Sequence, residues 1–349
     1  MSADAPRILV IRRRYLGDIV LLSPFFQSLR QHWPAAELTL LAEASYAAVA
    51  TLIPEIDRTL ILPRRARELG GWLTLVRALR AGRFTHVFDL DNREKTAALT
   101  RITGARERIA LLHEAPPRLP FCYTRIVLDP PVDHERRSIS EYYLQALAGA
   151  AVPVATKAVR LVPREADRAS VAKHLGDSFP RLLVHPGSRS AFRVWPAESF
   201  AAICDRAQNE LGAKVLLIGG PADQPLLAAI AAAARTKPDS LTTPLSVGEF
   251  AALAAGCDLM LCHDSGPMHV AAGVGTRVVA LFGSQNTTVW RPAGENHVVL
   301  QAPLPCADCV APAVCVPGDS YRNYCVRRLT VETVWTAVRA QLTSATPAR

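Results

Sequence analysis

Short apolar runs alternate, through almost the whole chain, with stretches whose apolar residues recur every three or four positions. That alternation predicts parallel strands covered by helices, the α/β class. In the first half, strands are expected at 7–12, 37–42, 59–62, 86–91 and 107–110, interleaved with helices near 19–32, 46–52, 69–81 and 95–103, and a further helix at 138–148. Residues 149–157 lack a period and contain Pro153, so they read as a linker. A second series follows, with strands at 181–185, 214–219, 259–263 and 278–282 and helical patterns at 197–211, 223–234, 267–272 and briefly after Gly283. The last helix, 331–342, gathers Val331, Val334, Trp335, Val338 and Leu342 on one face. Two Rossmann-like parallel-sheet domains are therefore expected, over 1–155 and 156–330, with 331–349 packing back on the first. Ligands of such sheets sit outside the carboxyl ends of the strands, so the loops there are where chemistry is sought.

Composition narrows the class. A chain of 349 residues with 50% hydrophobic and 20% charged residues suits two folded domains and excludes a disordered or collagen-like chain. The longest apolar stretches, 19–26 and 226–234, fall short of a bilayer span. The first 14 residues show no export signal, so a cytoplasmic protein is expected. The net charge is +9, and residues 1–160 carry most of it, with 23 basic against 16 acidic residues. Such a field favours an anionic partner or is simply a solvated arginine-rich surface; its scatter argues against nucleic acid. The same half could rest on the anionic inner leaflet of a membrane.

Of the eight cysteines, Cys122, Cys204, Cys257 and Cys262 stand singly in apolar surroundings. Cys306, Cys309, Cys315 and Cys325 cluster, at a spacing that suits a structural zinc or iron site or an unliganded reduced loop. Four thiolates would leave no open coordination position, so any metal there is a staple and not a catalyst.

Three loops carry candidate chemistry. Gly17 allows a tight turn after the first strand, and Asp18 then reads either as a helix cap or as a carboxylate facing the crevice. In the second half Gly187, Ser188 and Ser190 let backbone N–H groups approach an anion, and Arg193, just before Val194-Trp195-Pro196, can fork across phosphate oxygens. Ser265 and Gly266 would place donors at another helix N-terminus; Asp264 reads as a cap or a hydroxyl acceptor, and His269 as a pocket or packing residue. Gly219 begins a turn that could lie against a flat base. A Walker loop, a G-x-S-x-G elbow, an H-E-x-x-H helix and the G-x-G-x-x-G fingerprint are all missing, which sets aside ATP-driven, hydrolytic, zinc-protease and dehydrogenase readings.

The ordered set Leu16-Gly17-Asp18 through Ser23-Pro24, His185-Pro186-Gly187-Ser188, Arg193-Val194-Trp195-Pro196 and Asp264-Ser265-Gly266-Pro267-Met268-His269 resembles the lipopolysaccharide heptosyltransferases of glycosyltransferase family 9. The resemblance implies a GT-B enzyme, two Rossmann-like domains facing a central cleft, that inverts the anomeric centre and uses no metal or other cofactor for chemistry. It implies an ADP-L-glycero-β-D-manno-heptose donor held by the second domain and a lipopolysaccharide core acceptor presented by the first. Asp18 would be the general base, Ser188, Ser190, Arg193, Ser265 and Gly266 would cradle the diphosphate, and Asp264 and His269 match the helix-terminus motif of the donor site. Arg193 departs from the family's usual lysine, exchanging a compact ammonium for a planar fork. Acceptor choice is expected in loops 64–71, 92–95 and 112–121. Rival readings are another nucleotide-sugar donor, a nucleotide-sugar epimerase, and a non-catalytic glycan-binding protein.

Overall fold

A computed structural model describes residues 5–64, 68–112, 117–188, 194–283, 285–303 and 324–344. The chain forms two compact units, Met1–Val162 and Pro163–Arg349. In the first, β1 (Arg7–Ile11), β2 (Glu37–Glu43), β3 (Arg58–Leu62), β4 (His86–Asp89), β5 (Glu107–Leu112) and β6 (Arg125–Leu128) form one parallel sheet in the order β3-β2-β1-β4-β5-β6. The near-continuous apolar runs of β1 and β2 reflect burial on both faces, as a helix-covered parallel sheet requires. The chain builds outward from β1 to β3, then returns to the other side of β1 for β4, where Ile11 stands opposite Asp89. That reversal opens a crevice at the carboxyl ends of β1 and β4.

The second unit repeats the plan with β7 (Arg181–His185), β8 (Lys214–Ile218), β9 (Asp239–Leu241), β10 (Leu259–His263), β11 (Arg277–Phe282) and β12 (Val298–Gln301), in the order β12-β11-β10-β7-β8-β9. Its reversal lies between β7 and β10, where His185 pairs with Cys262. Strands β6, β9 and β12 were not expected from the sequence, and each lies at an edge of its sheet. The expected helix at 19–32 is two helices, Leu16–Val20 and Ser23–His32, with a turn at Leu21 and Leu22 between them.

Two boundary expectations are corrected. The first unit extends past 155 because the extended segment is strapped to it. Ala155 N–H donates to Ser28 Oγ at 3.1 Å, Ser23 Oγ donates to the Arg160 carbonyl at 2.7 Å, and Val162 N–H donates to the Leu52 carbonyl at 2.8 Å. The C-terminal helix, Val331–Thr343, packs into the core of the second unit. Val334, Trp335, Val338 and Leu342 are buried in one core with Leu182, Ile203, Leu261 and Leu281. Arg206, on the helix Ala197–Leu211, lies over the Trp335 ring at 4.8 Å and pairs with Glu332 at 2.6 Å. No described helix is long and apolar enough to cross a membrane.

Candidate active site

Asp18 is the third residue of the short helix Leu16–Val20 at the crevice of the first sheet, and it is 4% exposed. Its Oδ2 accepts the Tyr15 N–H at 2.9 Å, which is a capping interaction. Its Oδ1 accepts both the Tyr143 hydroxyl and Arg12 Nη2, each at 2.6 Å. The carboxylate thus caps the helix and also anchors a charged cluster, so the two sequence readings are not exclusive. Oδ2 makes a single hydrogen bond among the described residues, leaving it acceptor capacity.

The cluster around Asp18 is rigidly tied. Arg12 Nη1 donates to the Leu90 carbonyl at 2.9 Å, lies 3.8 Å from Asp91 Oδ1, and its guanidinium faces the Tyr143 ring at 5.2 Å. Burial opposes the Arg12 charge, but the carboxylates of Asp18 and Asp91 outweigh it and hold the guanidinium above its ordinary range. Burial, eased by Arg12 and reinforced by Asp18, holds the Tyr143 phenol well above its ordinary range, so it stays a donor. Asp91 also pairs with Arg13, which reaches Glu43 at 3.5 Å. Asp89, fully buried at the end of β4, accepts the N–H groups of Asp91 and Asn92 at 3.0 Å and the Tyr123 hydroxyl at 2.7 Å. Its burial, against those bonds, pushes its pKa up to about 6.

In the second unit the loops after β7, β8 and β10 meet at the sheet's reversal. A Cβ on Gly187 would overlap the Asp223 carboxylate, and one on Gly219 would lie 2.8 Å from Asp223 Cβ. Only glycine lets Asp223 pass between them and accept the Gly220 N–H at 2.8 Å. Ser188, at the end of the same loop, is half-buried. Further along, the Trp195 N–H donates to His263 Nε2 at 2.8 Å, and the Trp195 indole donates to the Leu329 carbonyl at 2.9 Å. Burial, with His185 nearby, lowers the His263 pKa to about 3, so the imidazole is the neutral acceptor this bond needs.

Asp264 is buried and its N–H donates to the Leu281 carbonyl at 3.2 Å. Ser265 is the N-cap of the helix Gly266–Gly273 but makes no side-chain cap bond, and its buried Oγ has no partner among the described residues. The helix start therefore has a hydroxyl and orphan N–H groups to offer an anion. Pro267 sits in the first turn, where its missing N–H costs nothing. His269 is buried within that helix.

Asp18 thus stands at the first reversal, and Gly187, Ser188, Gly219, Asp264, Ser265, Gly266 and His269 belong to loops and a helix at the second. Ser190 and Arg193 lie outside the described residues, as do Cys306, Cys309 and Cys315, while Cys325 is buried in the short helix Tyr324–Arg327. Among the described residues no group of three or more His, Cys, Asp or Glu is placed to hold a metal ion. Sequence reasoning passed over Arg12, Tyr143, His263 and Asp223. Only Asp223 carried a signal, as an acid just beyond the second strand of a Rossmann unit, where a sugar hydroxyl is commonly met.

The sequence profile of glycosyltransferase family 9 (heptosyltransferase) matches residues 72–315. The chain belongs to glycosyltransferase family 9. It is a GT-B glycosyltransferase of the heptosyltransferase kind. Lipopolysaccharide heptosyltransferase 3 of Escherichia coli K12 is 27% identical over 302 residues, covering 82% of this chain and 85% of that protein. Two solved structures share the fold. A family 9 glycosyl transferase from Veillonella parvula has a TM-score of 0.84 at 24% identity, covering 99% of each chain. The E. coli ADP-heptose LPS heptosyltransferase II has a TM-score of 0.77 at 20% identity, covering 97% of this chain and 98% of that one.

Proposed function

We propose that this family 9 enzyme transfers heptose from ADP-L-glycero-β-D-manno-heptose to the inner core of lipopolysaccharide, in the cytoplasm, with inversion and without a metal in the chemistry. One observation carries the reading: a buried carboxylate, Asp18, oriented by three donors and still able to accept at Oδ2. The acceptor hydroxyl gives its proton to Asp18 as its oxygen bonds to the anomeric carbon, and the bond from that carbon to the diphosphate breaks. Attack opposite the leaving group inverts the centre. Charge develops on the departing diphosphate, for which Gly187, Ser188, Ser190, Arg193, Ser265 and Gly266 supply donors and the helix N-terminus adds positive potential. Asp264 and His269 complete the donor site, and the turn at Gly219 takes the flat adenine ring of the nucleotide. The names of the curated relatives support the lipopolysaccharide acceptor.

Mass spectrometry of truncated lipopolysaccharide cores incubated with the enzyme and ADP-heptose tests this directly. The expected product is the core plus one heptose, with ADP released only when core is present. Epimer or free sugar from donor alone would mean an epimerase, and ADP binding without turnover on any core would mean a glycan-binding protein. Cys306, Cys309, Cys315 and Cys325 are proposed, on spacing alone, to hold a structural zinc or iron. Elemental analysis of the purified protein detects that metal or removes it from the account.

A further inference from the structure

We propose that the helix Leu69–Ala81 docks the first unit on an anionic lipid surface. One side of this helix packs Leu75 and Leu79 into the core with Leu60 and Leu62 of β3. The opposite side leaves Leu69 76% and Leu73 51% exposed. They are four residues apart and so lie one above the other. Arg77, four residues further, and Arg80 continue the same face, and both are exposed. Arg64 and Arg83, beyond the two ends of the helix, are exposed as well. None of these four arginines forms an ion pair among the described residues.

The described residues of 64–83 include four arginines, Arg64, Arg77, Arg80 and Arg83, and a single acid, Glu68. Apolar side chains and unpaired guanidinium groups on one helical face match a bilayer interface, where leucines enter the acyl boundary and arginines stay with anionic headgroups. A polyanion such as nucleic acid would reward the arginines alone and leave the leucines in water. The placement is also directional. Because the helix follows β3 in a parallel sheet, Leu69 lies toward the carboxyl ends of the strands, where Asp18 stands. Docking there would bring the sugars of a lipid-anchored acceptor to that end of the unit. Only this last consequence rests on the proposed transfer; the surface does not.

Vesicle co-sedimentation of the full chain tests the proposal, using phosphatidylcholine alone and phosphatidylcholine mixed with phosphatidylglycerol. Wild type should bind the mixed vesicles and scarcely the neutral ones. Arg77→Glu with Arg80→Glu, and separately Leu69→Ser with Leu73→Ser, should each weaken binding about tenfold or more. Urea unfolding curves, measured alongside, should match those of wild type and report that the variants are folded. Inorganic phosphate at matched ionic strength should not strip the wild type from vesicles. The proposal is overturned if wild type ignores both vesicles, or if folded variants bind like wild type. It is equally overturned if phosphate competes, which would make the arginines a free-anion site, or if sedimentation velocity shows that the leucine variant dissolves a dimer instead.

Discussion

Asp18 holds its place through bonds that a local sequence motif does not contain. Leu16-Gly17-Asp18 marks the residue, but Arg12 is one of three consecutive arginines and Tyr143 lies 125 positions away. Nothing in residues 12–14 says which guanidinium turns inward; only the return of the chain to β4, bringing Asp91 alongside, decides it. The same return buries Asp89, and its titration yields a prediction. The folded carboxyl keeps its proton up to about 6, against an ordinary value of 3.8, so between these values the folded state binds more protons than the unfolded one. Stability contributed at this site therefore falls as pH rises through that window. Asp89→Asn removes the titration and can still accept the Asp91 and Asn92 N–H groups. Urea unfolding from pH 4 to 7 should show wild type losing on the order of 3 kcal/mol relative to the variant. Parallel curves would mean that Asp89 titrates at its ordinary value.

Among the elements, inner strands and edge strands were unequally legible. β1, β7, β10 and β11 are buried on both faces and announce themselves as apolar runs. β6, β9 and β12 are short and largely exposed or half-exposed, so neither a run nor a clean alternation marks them. The helix Glu165–Leu175 was missed for a related reason, since only Asp167 and Val171 are buried along it. What joins elements was less legible still: the end of β10 holds the Trp195 backbone through His263, a histidine that the sequence presents only as a neighbour of Asp264. His263→Leu should leave the buried Trp195 N–H unsatisfied and cost about 1–3 kcal/mol in denaturant unfolding. His263→Gln, whose amide oxygen can accept the same bond, should recover much of that loss. Equal losses in both variants would show that volume, and not the hydrogen bond, is what His263 supplies.

At the scale of the whole molecule, one topology is used twice. Each sheet reverses direction beside its first strand, and each reversal collects the polar loops that the sequence motifs single out. Family and architecture were readable because those motifs fall at strand ends in a set order. The extent of the first unit and the seat of the last helix were not, because both depend on which surface an amphipathic or extended segment covers. The central claim is that the first unit contributes a base and the second a donor site. It is tested most directly by acceptor-dependent ADP release from ADP-heptose, comparing wild type with Asp18→Asn at saturating core. The account predicts a fall of about 10²–10⁴-fold in turnover, with ADP affinity preserved. Turnover at the wild-type rate in the Asp18→Asn enzyme would contradict it.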